Sequence, residues 1–217
     1  MKRDEAEWNR VLIGCGVKPI TAAKWSIIFA AVVDEKTFSK GDSELDDFLR
    51  ETLHESGKLE TLEENLNYGV DALLKMFGRH RISEADARRY GRIDGKQAAN
   101  KEAIANCLYG GPWGAKNLGN TEPGSGWRYR GGGLIQATGA ANLKALQKAT
   151  GIPVYDNPEL LRKPTVECLL ATIAWWEMSV PDSLMDNVRA VRKAVNGGAN
   201  GLEDTTKLDG KVKAALA

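Results

Sequence analysis

Two glutamates, Glu55 and Glu64, stand nine positions apart in the stretch 53–68. A pair of carboxyl groups has a well-defined use in hydrolysis. One, protonated, gives its proton to the leaving oxygen of a glycosidic bond, and the other, ionised, activates a water or attacks the sugar. Spacing alone does not set the distance between them, because a chain of this length can fold back or extend. Most glutamates are solvated surface, so the pair acquires meaning only through the elements that hold it.

The first of these is a helix expected over about 44–56. Ser43 followed by Asp46 resembles a capping box, and Gly57 is a suitable residue just past the end. Leu45, Phe48, Leu49 and Thr52 fall on one face. At about 100° per residue Glu55 lies at the edge of that face and His54 points away from it. The last turn is the negative end of the helix dipole, and an apolar edge is poorly solvated. Both keep a proton on the Glu55 carboxyl, which is what a general acid needs. Glu64 follows in a polar stretch, 59–68, read as loop or broken helix around Leu62 and Leu66.

The chain has 217 residues, 42% of them hydrophobic, with 30 basic against 29 acidic side chains and a formal charge of +1. That is enough for one domain with a real core, so residues 1–217 read as a single domain, with 71–108 as a small lobe within it and no second domain. The near-zero charge gives no reason to expect nucleic-acid binding. Cys15, Cys107 and Cys168 form no CxxC, and the two histidines, His54 and His80, have no ligand spacing. Reduced thiols, no metal and no cofactor are therefore expected. The N-terminus is charged and leads to no signal-peptide core, and the apolar run 25–33 is too short to span a bilayer. The expectation is synthesis in a cytoplasm without stable membrane insertion.

Helices are also expected over about 4–13, 21–33 (capped by Thr21), 71–77, 96–108, 139–150, 183–195 and 202–217. The segment 165–178 is apolar nearly all round and reads as the central buried helix. Arginines crowd the stretch 78–92, a solvated face or a contact to an anionic polymer. Residues 109–133 are glycine-rich with Trp113, Trp127, Arg128 and Tyr129 interleaved. If 134–138 is extended, Gln136 and Thr138 share a face. The fold class is mainly α with little β structure.

Each candidate has an ordinary reading beside the functional one. Trp127 and Tyr129 serve either as core or as sugar platforms, Asn196 before Gly197-Gly198 serves as a helix cap, and Gln136 is a satisfied polar side chain. Trp175 and Trp176 read as core.

Taken together, the motifs resemble a known family. His54-Glu55-Ser56-Gly57 with 63–68, Ala103 to Gly111, Gly126 to Gly139, and Val195-Asn196-Gly197-Gly198 with Gly201-Leu202 are similar, in order, to the blocks of glycoside hydrolase family 19. The chain resembles the family's bacteriophage endolysins more than its plant chitinases. The resemblance implies a lysozyme-like, two-lobed helical fold with a cleft, and an inverting mechanism. Glu55 matches the general acid and Glu64 the general base, with a separation of roughly 6.5–9.5 Å expected of an inverting pair. Gln136 and Thr138 match residues that hold water and substrate, Asn196 a polar cleft residue, and Trp127, Arg128 and Tyr129 the cleft wall. The chain departs from the pattern at Gly132 and at Thr205, where those endolysins usually carry arginine. No arginine partner for Glu55 or Glu64 is therefore expected from the end near Thr205.

The resemblance further implies hydrolysis of β-1,4 bonds in the glycan strands of peptidoglycan by a single catalytic domain, 1–217, with no separate wall-binding domain; a monomer is the default expectation. The protein would be made in the host cytoplasm and act on the periplasmic wall, with a separate holin-type pore needed for access. A chitinase, a non-catalytic wall-binding module and a lytic transglycosylase are the competing readings.

Overall fold

The helix that ends at Glu55 is the most enclosed element of the chain, although its sequence is among the most charged. In the computed structural model, which describes residues 2–217, this helix spans Asp42–Glu55 and every side chain from Glu44 to Leu53 is buried. Phe48, Leu49 and Leu53 pack on apolar neighbours, while Asp47, Arg50 and Glu51 are buried on the other faces by pairing with one another and with distant residues. Charge enters a core only when it is paired and hydrogen-bonded.

Twelve α-helices account for most of the described residues: α1 (Glu5–Gly14), α2 (Pro19–Val32), α3 (Asp42–Glu55), α4 (Val70–Met76), α5 (Glu84–Tyr90), α6 (Lys101–Tyr109), α7 (Gly111–Leu118), α8 (Ser125–Arg128), α9 (Ala140–Thr150), α10 (Val166–Ser179), α11 (Val188–Asn196) and α12 (Leu202–Leu216). Among the described residues β structure is limited to isolated bridges. The mainly α class expected from the sequence is the class observed. No helix of the described residues is long and apolar enough to cross a membrane.

The chain divides into two compact units. The first runs to Leu62 and includes Gly133–Ile135 and Leu160–Ala217; the second comprises Glu63–Gly132 and Gln136–Glu159. Residues 71–108 lie within the second unit, which extends beyond them on both sides.

In the first unit α1, α2, α3, α10, α11 and α12 surround one core that contains Trp8, Trp25, Phe29, Phe48 and Trp176. The Asp4 side chain accepts from Glu7 N and Glu7 accepts from Asp4 N, a capping box that starts α1 and is worth about 1 kcal/mol. Pro19 opens α2, where its missing N–H costs nothing, so Thr21 lies inside the helix rather than at its cap. The capping box expected at Ser43 is also absent: Gly41 stands at the cap of α3, and the Ser43 hydroxyl donates to Lys40 O. Trp176 is fully buried in α10 and donates its indole N–H to Glu44 at 3.0 Å; Trp175 is half-buried. However, Val166, Leu170 and Met178 leave one edge of α10 exposed, so α3 rather than α10 is the central helix.

In the second unit α4, α5, α6 and α8 contribute to a core of Leu66, Leu73, Ile82, Ile104 and Leu108, and α7 packs on α6 and α9. The basic stretch contains α5, capped by Ser83, and the glycine-rich stretch contains α7 and α8, none of which the apolar periodicity revealed. Glycine composition hid α8 because the glycine there serves packing. A Cβ on Gly126 would stand 2.6 Å from Ala105 O, so only glycine lets α8 lie against the backbone of α6.

Candidate active site

Glu55 is the last residue of α3, and the backbone that follows it is tied down tightly. Ser56 is fully buried; its hydroxyl donates to Thr52 O at 2.6 Å and accepts from Leu59 N at 2.8 Å. Gly57, Lys58 and Leu59 all have positive φ, of 56°, 63° and 66°. For Lys58 and Leu59 this conformation costs on the order of 1 kcal/mol each, which the Ser56 bonds and the burial of Leu59 offset.

The Glu55 carboxylate stands 2.5 Å from Arg192 Nη2 on α11. The same guanidinium donates through Nη1 to Glu51 at 2.7 Å and through Nε to Asn200 O at 2.7 Å. A fixed cation thus stands against the carboxyl that the sequence places at the helix end. Asn196, exposed at the end of α11, donates to the same Asn200 carbonyl at 3.3 Å, which joins it to this group. His54 faces the other way, with Nδ1 2.6 Å from Asp204 on α12. Gly201 is a glycine for two reasons: its φ is +79°, and a Cβ there would collide with the His54 ring.

Glu64 belongs to the second unit and is half-buried. Its backbone N donates to Gly131 O at 3.1 Å, and Gly131 N donates back to Oε2 at 3.3 Å. Its Oε1 accepts from the Tyr109 hydroxyl at 2.5 Å. Burial, followed by the charge of Glu64, pushes the Tyr109 phenol well above its ordinary value, so Tyr109 stays a donor. Tyr109 is itself backed by Arg81, whose guanidinium lies 5.5 Å from its ring centroid, 4.0 Å from that of Trp113 and 5.2 Å from that of Phe77, and donates to Leu108 O.

Gln136 and Thr138 do not lie on a strand. The chain turns back between Gly132 and Ala137, which pair through both backbone bonds, and Gln136 sits inside the turn with φ of 53°. Period-two reasoning fails here because the segment is a tight turn. Thr138 is brought to Gln136 by a bond instead, its hydroxyl donating to Gln136 O at 2.9 Å. A Cβ placed on Gly131 would meet Gln136 Oε1 at 3.0 Å and Glu64 Oε2 at 3.2 Å, so the amide and the carboxylate converge beside that glycine. Glu64, Gln136 and Thr138 therefore form one group.

The aromatic candidates fall elsewhere in the second unit. Tyr129 is buried and stacks on Tyr155 with ring centroids 5.2 Å apart, and Arg128 lies over the Tyr129 ring and donates to Asp156 O. Arg128, Tyr129 and Tyr155 line a groove with Glu122 and Ser125. Trp127 is half-buried beneath Arg130, whose guanidinium is 3.6 Å from its ring centroid and pairs with Glu63 at 2.7 Å. Among the arginines of 79–92, Arg79 donates to the carbonyls that end α4, Arg88 pairs with Glu84, and Arg92 pairs with Asp94.

Sequence reasoning missed Arg192, Tyr109 and Gly131. For Arg192 a signal existed: with Val188, Val191 and Val195 it completes an i, i+3, i+4, i+7 stripe, so a charge sits on the buried face of α11. Tyr109 and Gly131 carried no such signal, since nothing local marks which tyrosine or glycine meets a distant carboxylate. Chemically, the first group can hold a carboxyl that gives up a proton next to a fixed cation. The second can hold a carboxylate beside an amide, an arrangement suited to binding and deprotonating a water.

No protein-family model matches the chain. A curated protein of Haemophilus influenzae (strain ATCC 51907 / DSM 11121 / KW20 / Rd), described as a glycosyl hydrolase family 19 domain-containing protein, is 33% identical over 163 residues, covering 74% of each chain. The crystal structure of chitinase C from Streptomyces griseus HUT6037 matches with a TM-score of 0.52 at 18% identity, over 98% of this chain and 76% of that one; at this identity the likeness is one of fold.

Proposed function

The chain belongs to glycosyl hydrolase family 19 and is a glycoside hydrolase, and from that premise we propose that it is a bacteriolytic endolysin that hydrolyses the β-1,4 bonds of peptidoglycan glycan by an inverting mechanism. Glu55 gives its proton to the glycosidic oxygen as the bond to the anomeric carbon breaks. Glu64 takes a proton from a water that attacks that carbon from the opposite face, so one water is consumed and the anomeric configuration inverts. Gln136 and Thr138 hold the water and the sugar, and Asn196 binds from the side of Glu55. Trp127, Arg128 and Tyr129 serve the wall around longer glycans. On this reading the chain works as a monomer and reaches the periplasmic wall from the host cytoplasm through a separate holin-type pore.

The observation that carries the two-carboxylate reading is that each glutamate is held by enclosed partners, Glu55 in an ion pair with Arg192 and Glu64 by hydrogen bonds from Tyr109 and Gly131 N. The exposed glutamates Glu84 and Glu203 also pair, but with Arg88 and Lys207 side chains that are themselves exposed, whereas Arg192 and Gly131 are buried and Tyr109 is half-buried.

The test is turbidity loss of outer-membrane-permeabilised Gram-negative cells, with Glu55→Gln and Glu64→Gln checked for folding, together with product masses from purified peptidoglycan and from a chitin hexamer. Clearing by the wild type alone, with products heavier by one water, supports the reading. Cleavage of the chitin hexamer without clearing makes the chain a chitinase. Anhydro products make it a lytic transglycosylase, and wall binding without cleavage makes it a binding module.

A further inference from the structure

Arg192 is 2% exposed, and three of its nitrogens reach three different oxygens: Nη2 to Glu55, Nη1 to Glu51 and Nε to Asn200 O. The second carboxylate is fully buried one turn earlier on α3, and its other oxygen accepts from Arg50 Nε at 3.2 Å. Arg50, also fully buried, pairs with Asp47 and donates to Asp209 on α12 at 2.9 Å. Charges thus alternate from Asp209 through Arg50, Glu51 and Arg192 to Glu55, and the chain of pairs ties α3, α11 and α12 together.

Stability alone is a poor reason for such an arrangement. Burying these charges costs several kcal/mol per ion, and apolar residues of the same volume often do as well or better. What the network does uniquely is fix a planar, five-donor fork against one oxygen of Glu55. Thr205, where an arginine would follow Glu203-Asp204, is fully buried on α12. The cation arrives from α11 instead.

We propose that Arg192 is the positioning residue of Glu55, holding Oε1 so that Oε2 carries and delivers the proton, and that Glu51 and Arg50 hold Arg192 in turn. This rests on the reading of Glu55 as the acid. As the proton leaves Oε2 for the glycosidic oxygen, the charge that develops on Glu55 is met by a cation already in place. Glu51 balances that cation, so the acid is oriented with little net charge added beside it. Within the first unit the charged groups of this network are Arg192 and Glu51, while His54, the neighbour of Glu55 on α3, turns away to Asp204 of α12.

The experiment compares wild type, Glu55→Gln, Arg192→Lys, Glu51→Gln and the double variant Glu51→Gln with Arg192→Met. Each is measured for Tm, kcat, KM and pH profile on purified peptidoglycan, or on a chitin hexamer if that is the polymer cleaved. The double variant removes a buried anion and a buried cation together, so its fold is retained. Its kcat is expected to fall on the order of 100-fold with KM nearly unchanged, the cost of misplacing a reacting group by about 1 Å. Arg192→Lys keeps the charge, but one ammonium cannot reproduce the spread of the three guanidinium nitrogens that reach Glu55, Glu51 and Asn200 O, so it shows most of the same loss. Glu51→Gln alone leaves Arg192 unbalanced and moves the alkaline limb of kcat/KM to lower pH, which a merely structural role would not do. Folded double and lysine variants with wild-type kcat would overturn the proposal while Glu55→Gln remained inactive. An active Glu55→Gln would instead remove the acid assignment itself.

Discussion

The Tyr109 hydroxyl donates to Glu64 Oε1 at 2.5 Å, and the two residues, 45 positions apart in sequence, meet inside one compact unit. A hydrogen bond to a charged group is worth about 1.5–3 kcal/mol. Tyr109→Phe removes it without changing shape. If Glu64 is the base, kcat falls roughly ten- to a hundredfold while KM changes little, and steady-state kinetics on purified substrate read this directly. An unchanged kcat would separate Tyr109 from the chemistry.

Gly131 tests the same carboxylate from its other side. A methyl group there would press on Glu64 Cβ and Oε2 at 3.2 Å and on Gln136 Oε1 at 3.0 Å. Gly131→Ala should therefore cut activity by about an order of magnitude, as displaced reacting groups do, with a modest change in Tm. Gly198→Ala is the matched control, because a Cβ at Gly198 meets nothing within 4 Å. Equal activities of the two variants would show that the contact at Gly131 is slack.

Arg50 carries the buried charges of α3. Arg50→Met leaves Asp47 and Glu51 in the core with a cation removed from between them, and breaking a buried pair in this way costs about 3–5 kcal/mol. Urea denaturation should show a lower midpoint. A midpoint equal to the wild type's would mean that Asp47 and Glu51 find other partners or water.

Asp46 sets a pH dependence of stability. Burial first, and the neighbouring charge of Asp47 second, push its carboxyl up to about 6, against the attraction of Lys213. In the unfolded chain the value is about 3.9. The folded state therefore binds this proton more tightly. Its contribution to stability is fully present below about pH 4 and is lost as pH rises through about 6, a difference of about 3 kcal/mol. Asp46→Asn should raise Tm at pH 8 and leave it unchanged at pH 4. Thermal melts at both values decide it: a Tm no higher than wild type at pH 8 would contradict the assigned cause.

Much of the local structure was legible in the sequence because helix ends and apolar stripes are short-range signals. Gly57 announced the end of α3, so Glu55 was correctly read as standing in its last turn. The shared face of Gln136 and Thr138 depended on 134–138 being extended, and a run as short as Leu134-Ile135-Gln136-Ala137-Thr138 looks the same whether it becomes a strand or a turn. Its positive φ is imposed by the bonds between Gly132 and Ala137 and by Thr138.

By itself the sequence determined the mainly helical class, the order of the motifs and the two glutamates on which the proposed chemistry rests. Only the tertiary structure decided which helix is central and what holds each glutamate. By hydropathy α10 outranks α3, yet α3 is the enclosed one, because Arg192 reaches Glu51 across 141 positions and Asp209 reaches Arg50 across 159. A charged residue is expelled from a core unless a partner meets it there, and a partner that far along the chain leaves no trace in local periodicity.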